Sequence, residues 1–275
     1  MTVITTTSTM TRMRSQGEMP LWKQITMLTW RNLVVTFRTP AEIIPSFIIS
    51  AFFLFVYNAS LGDAARFLPG LSGNSYLGFI LPVSVVSAAL SGAGIAGFAI
   101  VRDIESGYFD KLMLTPVRRV ALLMGAILNS AIILVMQTGL VVVIGLLMGL
   151  QPATGLLGTL AALSIALLIG VAFAGFTVGV ALRTGSAGAT QGATFMFFPL
   201  TFLTATFVPV TLLSGWIKTA AQLNPITYIL EAMRALLNEG WQGSVLLNGV
   251  LACVVLGVVT FSFAMSSLRA RTRQR

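Results

Sequence analysis

The groups that could do chemistry in this 275-residue chain are few: eight Asp and Glu, 17 Lys and Arg, one cysteine, four tyrosines and no histidine. Without histidine the usual general base, the Ser/His/Asp arrangement and the commonest zinc ligand are missing, which argues against ordinary hydrolytic catalysis. The lone Cys253 stands in an apolar run and has no disulfide partner within the chain. The three lysines, Lys23, Lys111 and Lys218, do not fall in a G-x-x-x-x-G-K-[ST] phosphate loop, so the chain alone is not an ATPase of that class. Carriers driven by protons or sodium bury carboxylates in the membrane. Here the apolar runs hold almost no ionisable group, and Glu231 is the one carboxylate that could serve such coupling.

The elements that must position these few groups are apolar. Hydrophobic residues make up 56% of the chain and charged residues 9%, against roughly a quarter charged in a soluble domain. A bilayer core about 30 Å thick takes roughly 20 apolar residues per helix. Apolar runs at 43–61, 75–101, 120–150, 155–182, 190–213 and 244–268 predict six transmembrane helices in one membrane domain spanning 21–268. The fold class is therefore an all-α polytopic membrane protein. Residues 1–20, rich in Thr and Ser and without an apolar h-region, read as a disordered cytoplasmic tail and not a signal peptide. Residues 269–275 read as a basic cytoplasmic tail.

The positive-inside rule orients the spans. With the N-terminus in the cytoplasm, only Arg66, Lys218 and Arg234 of the 17 basic residues fall outside. Basic residues at both ends demand an even number of crossings, so the 214–243 stretch should not cross. The net charge of +9 is scattered between apolar runs and forms no continuous basic stripe, which argues against nucleic acid as a partner.

Three segments outside the simple spans carry patterns. Residues 21–38 predict a helix lying in the interface: Leu21, Ile25 and Leu28 share one face, Arg31 and Arg38 another, and Trp22 and Trp30 suit headgroup depth. Residues 102–119 predict a short cytoplasmic helix over about 106–115, stopped by Pro116, with Tyr108 and Phe109 as aromatic anchors beside Asp110, Lys111, Arg118 and Arg119. Residues 224–240 predict an amphipathic helix capped by Asn224, with Pro225 at its first position and Gly240 past its end. Its apolar face is Ile226, Ile229, Leu230, Met233, Leu236 and Leu237; Asn224, Tyr228, Glu231, Arg234 and Asn238 form the polar one, with Glu231 and Arg234 spaced to pair. Too short to span, it should be a re-entrant or interfacial outer helix, with a gating or a plugging role. Within the spans, the small residues of 87–97 allow close backbone approach, and Phe195, Phe198, Thr201, Phe202 and Thr204 mark a possible substrate path, with helix packing the competing role.

Two of these segments carry a family resemblance. Residues 105–119, E-S-G-Y-F-D-K-L-M-L-T-P-V-R-R, are similar to the E-x-G-x-x-[ED]-x-L-x-x-[TS]-P-[VI] segment of ABC-2 type exporter permeases, and L-N-P-I-T-Y-I-L-E-A-M-R at 223–234 resembles their N-P-x-T-Y element. With an interfacial first helix and six spans, the resemblance covers nearly the whole chain after the tail, and points to the drug-resistance permeases in particular. It implies a coupling helix at Glu105, Gly107, Tyr108, Phe109, Asp110, Lys111, Leu112, Pro116, Arg118 and Arg119. On this helix and on the interfacial one a cytoplasmic ABC ATPase would dock, two copies per transporter, with ATP and Mg bound in that partner and no cofactor in this chain. It also implies a second copy of the chain, or a homologous permease, to complete the path. The departure is an external region with no large domain. The function expected is export of an amphiphilic drug-like or lipid-linked substrate across the plasma membrane. A polysaccharide or glycolipid exporter, a non-transporting membrane scaffold and an ion-coupled carrier are the alternatives.

Overall fold

The computed structural model describes residues 19–61, 76–196, 198–204, 210 and 213–273, and among them there are helices and no strands. The first is α1 (Leu21–Arg38), bounded by prolines on both sides as the sequence predicts, since Pro20 precedes it and Pro40 forces Thr39 out of the helical region. After it come α2 (Pro40–Leu61), α3 (Tyr76–Glu105), the short α4 (Tyr108–Met113), α5 (Arg119–Leu147) and α6 (Gly155–Thr184). The chain continues through α7 (Ala187–Met196), α8 (Phe198–Phe202), α9 (Gly215–Leu223) and α10 (Pro225–Arg234), a π turn (Ala235–Glu239), and α11 (Gly243–Arg273).

Five of these, α2, α3, α5, α6 and α11, are long and apolar enough to cross a membrane. The expected fifth span, 190–213, takes a different form. Its described part comprises α7 and α8 and leaves the helix at Leu203 and Thr204, and residues 197, 205–209, 211 and 212 lie outside the described set. Neither α9 nor α10 is long enough to cross, as expected for 214–243. Two other boundaries move. α3 runs through Glu105, past the expected end at 101, and α11 carries the basic tail as helix to Arg273. Residues 1–18 of the expected tail and residues 274–275 lie outside the described residues.

The bundle is built around α3, which is buried along nearly all its length against α2, α5, α6 and α7. α6 and α11 form the most extensive pair, while α2 and α11 turn Ile48, Phe52, Phe55, Val254 and Val258 outward, as helices facing lipid do. Lipid tails are as apolar as leucine, so close packing and interhelical hydrogen bonds must hold such a bundle. Both occur along the small-residue run of α3. Ser130 of α5 donates to the Gly92 carbonyl at 2.9 Å and Thr177 of α6 to the Ala93 carbonyl at 2.6 Å. In α5, Gln137 donates to the Ser46 carbonyl and, at 3.1 Å, to Ser50 Oγ of α2, while Asn129 donates to Thr36 Oγ1 of α1 at 3.1 Å.

At the other end α10 lies against α11 across Gly249, where an added Cβ would stand 3.0 Å from the Tyr228 carbonyl oxygen. Gly249→Val should cost about 1–3 kcal/mol through this overpacking, read as a lowered thermal midpoint of the solubilised protein. An unchanged midpoint would mean that α10 is not seated on α11.

Candidate functional site

The sequence singles out four groups of residues, and the bundle sorts them onto two ends. At one end α1, the end of α3, α4 and the start of α5 meet. Gly107 takes φ +68°, a left-handed conformation that suits glycine, and so reverses the chain from α3 into α4. This positive φ, and Leu114 leaving the helix after Met113, trim the expected 106–115 helix to Tyr108–Met113.

The two aromatic anchors separate. Phe109 is 4% exposed and packs in the chain's own core with Ile100, Leu123, Val178, Leu182 and Leu268, while the Arg271 guanidinium lies 5.8 Å from its ring centroid. Tyr108 is half-buried beneath Arg31, whose guanidinium sits 4.0 Å from the ring centroid. The exposed residues here are Glu105, Ser106, Lys111, Leu114, Thr115, Pro116, Arg118 and Arg119, with Leu114 at 89% the most exposed large apolar residue of the segment. Leu112 and Asp110 are half-buried. Asp110 lines a cleft of about 300 Å³ with Phe109, Met113, Leu114, Arg119, Arg271 and Thr272.

Arg31 binds this junction together. It donates to both carboxylate oxygens of Asp103 on α3, at 2.6 and 2.7 Å, in the bidentate geometry that a planar guanidinium favours. Those hydrogen bonds hold the Arg31 guanidinium above its ordinary range against the opposing effect of burial. Two turns earlier Gln24 accepts from the backbone N–H of Arg118 at 2.9 Å and donates to the Met19 carbonyl, so α1 also grips the far end of the α4 loop. The buried side chains of α1 are polar, Gln24, Thr29, Asn32 and Thr36, whereas Trp22, Trp30 and Phe37 are exposed, as is Arg38. Sequence reasoning missed Asp103, Gln24 and Leu114. Asp103 pairs across 72 residues, which no local spacing reveals, but a carboxylate at the end of an otherwise apolar span was a signal to ask for a cation.

At the opposite end the N-P-x-T-Y residues organise α10. Asn224 Oδ1 accepts from the Ile226 N–H at 3.0 Å as the helix cap, and its Nδ2 donates to the carbonyls of Leu200 and Leu203, at 2.8 and 3.4 Å. Pro225 occupies the first helical position, and Tyr228 Oη donates to the Gln222 carbonyl at 2.7 Å. The expected apolar face is buried throughout. Arg234, expected on the polar face, is turned inward and only 5% exposed. Its Nε donates to the Phe79 carbonyl at 3.0 Å, and its guanidinium lies 3.6 Å from the Phe79 ring centroid. Burial pushes Arg234 down to about 9, opposed by Glu231, Tyr76 and Glu239, so it stays charged at neutral pH; burial raises the half-buried Glu231. Of the possible substrate-path residues, Phe195 is exposed, while Thr201 and Thr204 line a small cavity with Val83, Val86, Ser87, Ile226 and Leu230. The side chains of Phe198 and Phe202 lie outside the described residues.

Among the described residues, a helical bundle with five membrane-length apolar helices, a short helix at one end and a capped buried helix at the other defines a multi-pass membrane protein. The chain belongs to the ABC-2 type transporter family, whose pattern matches residues 23–238. It is 27% identical over 221 residues, 80% of this chain and 79% of the relative, to the probable doxorubicin resistance ABC transporter permease protein DrrC of Mycobacterium tuberculosis. Over 244 residues, 87% of this chain and 83% of the relative, it is 26% identical to the daunorubicin resistance ABC transporter permease protein DrrB1 of Streptomyces coeruleorubidus. The putative transport permease ycf38 of Cyanophora paradoxa is 23% identical over 218 residues, 78% of this chain and 74% of that protein. The chain is thus an ABC permease subunit and not an enzyme, and ATP hydrolysis belongs to a separate ATPase subunit.

Proposed function

We propose that the chain exports an amphiphilic drug-like or lipid-linked compound from the cell, working as two permease copies driven by two cytoplasmic ABC ATPases that bind the ATP and Mg. The observation that carries this reading is the junction at which Arg31 joins α1, Asp103 and Tyr108. A force applied to the exposed tip of α4 has a polar path into both α1 and the central helix α3. The names of two relatives, which refer to doxorubicin and daunorubicin resistance, favour a drug-like cargo over a polysaccharide. Basic residues at both ends favour termini in the cytoplasm of a plasma-membrane protein. That topology needs an even number of crossings, so the apolar 190–213 stretch is assigned the fifth of six. ATPase docking falls to Lys111, Leu114, Thr115, Pro116 and Arg118 of the exposed tip. The test is coexpression with a drug-resistance ABC ATPase. The reading requires a stable complex whose vanadate-sensitive ATP hydrolysis is stimulated by amphiphilic cations, and binding without stimulation would instead mark a scaffold.

A further inference from the structure

The buried polar ends of α10 each donate to backbone carbonyls of another segment, Asn224 to Leu200 and Leu203 and Arg234 to Phe79. The last carbonyls of a helix have no internal donor. At the end of α8 those of Leu200 and Leu203 receive Asn224 Nδ2. A proline inside a helix withholds one donor and opens the turn before it. Pro82 sits inside α3, so the donor withheld is that of the Gly78 carbonyl; in the same turn the Phe79 carbonyl receives Arg234 Nε while the Phe79 ring covers the guanidinium.

Between its two ends, α10 presents Ile226 and Leu230 to the small cavity that α3 closes with Val83, Val86 and Ser87 and α8 with Thr201. Beyond Arg234 the π turn offers its Leu236 and Leu237 carbonyls to Thr154 Oγ1 and the Ala153 N–H, at 2.5 and 2.8 Å, fixing that end to the loop between α5 and α6. Such π turns recur at functional sites. A buried guanidinium is an expensive way to fill space, since an apolar side chain of similar volume commonly serves stability as well or better. A charged residue so placed within a membrane bundle argues for a task beyond packing.

We propose that α10 is a strut whose ends, Asn224 and Arg234, tie α8 to the proline-interrupted outer turn of α3, so that these two elements open and close as one gate over the cavity between them. Which face this gate serves rests on the exporter topology proposed above; the mechanical link does not. The strut makes the two ends interdependent. Loosening either contact releases the distant helix as well as the near one.

Hydrogen exchange of the full chain in lipid nanodiscs tests this without nucleotide or ATPase, so failure of the exporter reading leaves the result intact. Arg234→Met should speed amide exchange about tenfold in the 76–86 region and also in 198–204, and Asn224→Ser should do the same in both. Serine still caps α10 through the Ile226 N–H but is too short to reach Leu200, so this variant removes the tie and keeps the helix. Arg234→Lys should bring both regions back to within about threefold of the wild type, because an ammonium still donates to the Phe79 carbonyl. Faster exchange confined to the helix next to each substitution would overturn the strut. So would a uniform rise through α5 and α6, which would show general loosening.

Discussion

Asp103→Asn is expected to reduce ATP-driven transport about tenfold or more while the chain still inserts and binds its ATPase. Asparagine keeps one acceptor for Arg31 and loses the charge and the second oxygen. With the Arg31 side chain 33% exposed and that of Asp103 10%, water softens the loss to about 1–3 kcal/mol. That energy is spread over the contact joining α1 and α3 above Tyr108, so α4 can tilt without carrying them. Exchanging the charges, with Arg31→Asp and Asp103→Arg in one chain, should recover part of the loss. The informative quantity is cargo moved per ATP hydrolysed in proteoliposomes. Hydrolysis that persists while transport falls supports transmission through this junction; unchanged transport in Asp103→Asn would remove the junction from the mechanism.

The second large effect concerns docking. Leu114→Asp should weaken association with the ATPase by about thirtyfold, the loss of an anchor contributing about 2 kcal/mol, and leave the permease's own thermal midpoint unchanged because the side chain is 89% exposed. Phe109→Ala should do the reverse. A phenylalanine 4% exposed in the chain's own core costs about 3–5 kcal/mol of stability when truncated, so this variant lowers the midpoint before it says anything about docking. Titration of labelled ATPase onto permease in nanodiscs, alongside thermal denaturation of each variant, separates the two roles. Equal affinity of wild type and Leu114→Asp would place the docking surface elsewhere.

What could be read in advance follows from the range of the forces involved. Caps and prolines act locally, so α1 between Pro20 and Pro40, and α10 from Asn224 with Pro225 behind it, stand where the sequence puts them. The extended apolar runs likewise mark α2, α3, α5, α6 and α11. Hydropathy marks the extent of an apolar run and not where its helix stops, which is why 190–213 reads as one span although its described helix ends at Phe202. Nor can helical spacing tell a residue that faces lipid or a partner from one that faces its own bundle; Tyr108 and Phe109 look alike in sequence and part company in space. Arg234 shows the same limit. Its periodicity assigns it to a polar face, while the partners that turn it inward, the Phe79 carbonyl and ring, lie 155 residues away in sequence. The Arg31 to Asp103 pair, 72 residues apart, depends wholly on how α1 lies across the bundle.

The most direct test is transport by purified permease in liposomes, loaded with a fluorescent amphiphilic cation, with and without the ATPase subunit. Cargo should move only when both subunits and ATP with Mg are present, and vanadate should stop it. Movement by the permease alone, driven by an imposed ion gradient and lost in Glu231→Gln, would contradict an external motor acting through the α1, α3 and α4 junction.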